Sequence, residues 1–130
     1  MAVIALQGTK GVGKTRTYGL LIGQLSTYGY VQVPGHYKDL HNNDFLDLYK
    51  HQKSGKLLGI VTRGDVSSWL RQDISDLFSS GANAVLCACR TKGFTLRHVQ
   101  THTPHHILLK TPSDQADINA LMALVGLYIP

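Results

Sequence analysis

Eight residues near the start of the chain, Gly8-Thr9-Lys10-Gly11-Val12-Gly13-Lys14-Thr15, have the types and spacing to hold a polyphosphate. They satisfy G-x-x-x-x-G-K-[ST] at every fixed position. Glycines let a loop adopt positive φ and bring backbone N–H groups close to phosphate oxygens. The Lys14 ammonium is expected to reach the β and γ phosphates, and the Thr15 hydroxyl to take a place on Mg²⁺. Arg16 follows directly and is grouped with the loop as a binding residue. These residue types imply a bound nucleoside triphosphate, with Mg²⁺ as its companion ion.

Such a loop works only between a strand and a helix. Val3 to Leu6 reads as a strand bounded by Gly8. Lys14 to Tyr28 reads as a helix with Tyr18, Leu21, Leu25 and Tyr28 on one face, stopped by Gly29. A helix starting at the loop also points its positive dipole end and free N–H groups at the same anion. Further strands are expected at Tyr30–Val33, Leu57–Thr62, Ala84–Ala88 and Ile107–Leu109. Asp65 is read as the N-cap of a helix carrying Trp69, Leu70, Ile74, Leu77 and Phe78, and Ser113 as the cap of a last helix to about Ile129. Residues 35 to 55 read as a polar segment, with a short helix at Phe45, Leu46, Leu48 and Tyr49. Thr91 to Thr103 reads as a loop and a short helix. Strands alternating with helices predict an α/β fold with about five mainly parallel strands and helices on both faces.

The chain has 130 residues, 43% of them hydrophobic and 16% charged, which suits a single globular domain spanning 1–130 and excludes disordered or collagen-like classes. The amino terminus has no charged leader and no stretch is long and apolar enough for a membrane span, so a cytoplasmic setting is expected. Cys87 and Cys89 are read as facing opposite sides of a strand and hence unpaired. All eight acids are aspartate; there is no glutamate.

The octet and the strand–helix order resemble the P-loop NTPase superfamily, whose fold is a three-layer α/β sandwich. Within it, Gly8-Thr9 followed by Val12-Gly13-Lys14-Thr15 is similar to the loop of dethiobiotin synthetase and its relatives. The related partition and cell-division ATPases carry a second lysine at the octet's second position; here that position is Thr9, and Lys10 comes one place later. Many superfamily ATPases polarise the attacking water with a glutamate, which this chain lacks. The resemblance therefore implies the kinase–GTPase branch, whose metal-binding acid lies near the end of the third strand. Asp65 fits that place, as a metal ligand beside Thr15. Arg90, at the end of the fourth strand, is expected to neutralise γ-phosphate charge, with Lys92 and Arg97 near it. Asp39 follows the second strand closely enough to act as a base. No N/T-K-x-D motif is present, so ATP is the default nucleotide and GTP is not excluded.

Three activities fit: a small Mg²⁺-dependent ATPase, a kinase using residues 35 to 55 for a small-molecule acceptor, or a nucleotide-controlled regulatory module that binds nucleic acid. The net charge of +5 is compatible with the third, though the sequence contains neither an aromatic-interleaved RNA motif nor a helix-turn-helix. Ile118, Leu121, Met122, Val125 and Tyr128 could cover the sheet or form a homodimer seam. His98, His102, His105 and His106 are spaced to place a histidine pair on one helix face, but no nearby Cys or acid completes a zinc site.

Overall fold

Short apolar runs become the central strands because both of their faces are covered. The computed structural model describes residues 1–9 and 11–130, so the expectation for Lys10 lies outside the described residues. In chain order the elements are β1 (Ala2–Gln7), α1 (Lys14–Gln24), a 3₁₀ turn (Leu25–Tyr28), β2 (Tyr30–Gln32), β3 (Lys38–Asp39) and β4 (Phe45–His51). There follow β5 (Leu57–Val61), α2 (Ser67–Ser79), β6 (Ala84–Cys89), α3 (Phe94–Gln100), β7 (His105–Leu109) and α4 (Asp114–Val125). Among the described residues there are thus seven strands, not five. Their order is β2-β4-β5-β6-β1-β7, with β3 also paired to β4.

The sheet is mixed. β5, β6, β1 and β7 run parallel to one another, whereas β4 is antiparallel to β2, β3 and β5. Helices cover both faces. Tyr18, Leu21, Ile118, Leu121 and Val125 of α1 and α4 pack on one side with Ile4 and Leu86. Leu70, Ile74, Leu77 and Val99 of α2 and α3 pack on the other with Val3, Ala5 and Val85. Much of the apolar stripe of α4 is thereby buried within this chain. No helix among the described residues is long and apolar enough to cross a membrane.

Three expectations need correction. Phe45 to Tyr49 is strand, not helix: Phe45 and Tyr49 face one core while Leu46 and Leu48 face the other, a period of two. Burial on both sides removes the polar alternation by which such a strand is usually recognised. Asp65 does not cap α2; Val66 holds that position in extended conformation, with no side-chain cap. Cys87 and Cys89 are free, and lie on the same face of β6, as residues two apart on a strand must. The first helix also gives way to the 3₁₀ turn after Gln24, before Gly29 ends it at φ 86°. Ser113 does cap α4, its hydroxyl accepting from the Ala116 N–H.

Candidate functional site

The buried strand β1 delivers the chain to Gly8 between β6 and β7. The loop then turns sharply through Gly11 and Gly13, whose φ values of 84° and 94° suit glycine alone at low cost. A side chain on Gly8 would meet Val12 Cγ2 at 2.6 Å, so the loop folds back on itself there. Lys14 opens α1 and is 8% exposed. Its ammonium donates to the carbonyls of Gly8 (2.5 Å) and Cys89 (3.1 Å), which tie it to the ends of both β1 and β6. Burial pushes the Lys14 pKa down, partly offset by the nearby Asp65 carboxylate.

Thr15, the next residue, donates its hydroxyl to Asp44 Oδ1 at 2.9 Å. Thr62, just past β5, donates to the same oxygen at 2.8 Å, while its own Oγ1 accepts from the Phe45 N–H. One carboxylate oxygen therefore gathers two hydroxyls from different elements. Lys14, Thr15, Asp44, Thr62 and Asp65 line one cavity of about 230 Å³. Among the described residues no three His, Cys, Asp or Glu side chains form a metal cluster. The Thr15 hydroxyl and the Asp44 and Asp65 carboxylates are nonetheless hard oxygen donors, the type that suits Mg²⁺ when phosphate and water complete its shell.

The other candidates from the sequence are placed differently. Asp65 borders the cavity, but its Oδ1 is paired at 2.8 Å with Arg90 Nε, and both side chains are more than a third exposed. Arg16 turns outward to Asp114 (3.0 Å). Thr9 and Val12 are exposed. Asp39 does not line the cavity of Lys14: its carboxylate accepts from the His41 N–H, and it lines a second cavity of about 490 Å³ with Tyr37, His41, Asn42 and Asn43. Asp44 lines both cavities.

In the sequence Asp44 is one residue of the polar segment 35 to 55 and is not singled out. The structure delivers it through three consecutive residues with positive φ, His41 (69°), Asn42 (52°) and Asn43 (66°). Such a run is costly for residues with a Cβ and tends to mark functional loops. Of the four clustered histidines, His98 and His102 contact each other, Nε2 to Nε2, at 3.3 Å, and burial lowers both of their pKa values. His105 bonds a backbone carbonyl and His106 meets Tyr128.

A supporting network lies behind the loop. Thr17 donates to Asp114 Oδ1 at 2.7 Å, and the buried Lys110 ammonium bridges Asp114 (3.1 Å) and Asp117 (2.8 Å). It fastens the start of α1 to the start of α4. Comparison with protein-family models finds no match, and neither curated proteins nor solved structures yield a significant one.

Proposed function

We propose that the chain is a P-loop protein that binds a nucleoside triphosphate with Mg²⁺, ATP by default, and hydrolyses it. The observation that carries this reading is the Thr15–Asp44 hydrogen bond in the same cavity as the Lys14 ammonium. A hydroxyl and a carboxylate from separate elements meet beside a buried cation at a loop–helix junction, as binding of a metal–polyphosphate complex requires. Thr15 and Asp44 would hold the metal, with Asp65 within the same cavity. When bound, Mg²⁺ would neutralise charge on the β and γ phosphates.

The chain's own groups do the rest. Lys14 exchanges its carbonyl partners for phosphate oxygens, and the backbone N–H groups around Gly11 and Gly13 supply further donors. Thr62 fixes the orientation of the Asp44 carboxylate. Arg90 offers positive charge at the rim once it releases Asp65. With no glutamate to polarise water, the reading stays with the kinase–GTPase branch.

A phosphotransferase is the second reading, favoured by Asp44 lining both the phosphate cavity and the larger one beside Asp39. Calorimetry with a nonhydrolysable ATP analogue and Mg²⁺ tests the core proposal. Lys14→Ala should weaken binding roughly ten- to a hundredfold, the usual value of a charged hydrogen-bonding group. Unchanged affinity would refute it. Phosphate release without an acceptor supports the hydrolase, and release that needs a small hydroxyl compound supports the kinase.

A further inference from the structure

Two large aromatic side chains stand out of the surface at the end of the sheet that carries the phosphate loop. Trp69 is 52% and Phe94 70% exposed. Each lies beneath a guanidinium at 4.9 Å from its ring centroid, Arg63 over Trp69 and Arg97 over Phe94. Their placement follows from the topology. β5 and β6 are adjacent and parallel, and each runs directly into its helix, so α2 and α3 begin at the same end. Both pack on the same face of the sheet. Trp69 sits in the first turn of α2 and Phe94 opens α3, so the two arginine-stacked rings share one rim.

The charge around this rim that no ion pair cancels is positive. No acid occurs in the sequence between Asp76 and Asp114, a stretch that includes Arg90, Lys92 and Arg97. Lys92 and Arg97 are exposed and, among the described residues, in no ion pair. The acids nearest the rings are already engaged: Asp73 is buried against Arg63, and Asp65 is paired with Arg90. Two large exposed rings thus lie at one rim with two unneutralised cations, Lys92 and Arg97, of which Arg97 stacks on Phe94. Rings for flat partners and cations for a polyanion are together the makeup of a surface for unpaired bases on a phosphate backbone.

We propose that the Trp69–Phe94 rim binds single-stranded nucleic acid, the bases stacking on the two rings and the backbone passing Lys92 and Arg97. This goes beyond nucleotide binding and does not depend on it. Trp69 is the sole tryptophan, so its fluorescence reports the contact directly. Oligothymidylate and oligouridylate of about 16 residues, titrated into the full chain, should quench it, with affinity falling steeply as salt rises. Either polymer alone doing so meets the proposal and tells DNA from RNA. With a labelled oligonucleotide read by anisotropy, Trp69→Ala and Phe94→Ala should each weaken binding about five- to a hundredfold, and Trp69→Phe should restore most of the loss. Lys14→Ala, which tests the triphosphate site, should leave oligonucleotide affinity unchanged. Oligonucleotide binding without quenching, equal binding of duplex, or unaltered affinity in Phe94→Ala would each overturn the proposal. So would quenching by ATP with no binding of either polymer.

Discussion

Asp44 carries more of the site's geometry than any acid chosen from the sequence. Asparagine in its place keeps the Oδ1 acceptor for Thr15 and Thr62 but removes the charge, so the fold should survive. On the proposed reading, Asp44→Asn should raise the Mg²⁺ concentration that supports half-maximal nucleotide binding by roughly tenfold or more, the value of one charge-assisted contact. Asp65→Asn should have the smaller effect, because that carboxylate already belongs to Arg90. A Mg²⁺ titration of both variants decides the order, and the reverse ranking would return the metal to Asp65. The stability cost of Asp65→Ala should also be under about 1 kcal/mol by urea denaturation, since it loses an exposed ion pair and no helix cap. The placement of Lys14 and Thr15 at a strand–helix junction was legible because it follows from a local pattern. The placement of Asp44 was not, because it rests on a contact with a residue 29 positions away.

That distance is closed by the polarity of one strand. The parallel strands β1, β5 and β6 end on the side of the loop that leads into α1, so an acid at the end of a parallel strand was the natural expectation. β4 runs the other way, and its beginning lies at that same end. Asp44, immediately before β4, thus occupies the position where a parallel strand would place its last residue. The sequence does not mark this reversal, because β4 is buried on both faces and shows no polar alternation, so that it reads equally as helix. The parallel elements were legible to within a few residues, since each is a short apolar run followed by a helical stripe. Close approach of the strand exits also constrains the element level. A methyl group on Gly64 would overlap the Ala88 carbonyl. Gly64→Ala should therefore push the ends of β5 and β6 apart and cost about 1–3 kcal/mol in urea denaturation. It should also weaken nucleotide binding, since Thr62, Arg63 and Asp65 flank that exit.

At the scale of the molecule, the two helical layers are joined to the sheet by cores on both faces, and the α1–α4 layer adds a charged clasp. Hydrogen bonds from Thr17 and then Arg16 hold Asp114 down at about 2. Burial pushes Asp117 upward, but Lys110 and Thr111 outweigh it and leave its pKa lowered. Both groups are depressed relative to an unfolded aspartate near 3.9, so their stabilisation is present above about pH 4. It is lost as pH falls from there toward about 2. Urea midpoints across that range should decline steeply, and Asp114→Asn should flatten the decline while lowering stability at neutral pH.

Lys14 carries a different consequence. Burial makes its ammonium release a proton more readily than a solvated lysine would. On the proposed reading, an arriving polyphosphate would stabilise the charged form and reverse that tendency. Binding at alkaline pH, where part of the lysine has lost its proton, should therefore draw protons from the medium. Apparent binding enthalpies would then differ between buffers of unequal ionisation heat, and affinity would decline as pH rises. Lys14→Arg, which stays charged throughout, should show neither effect.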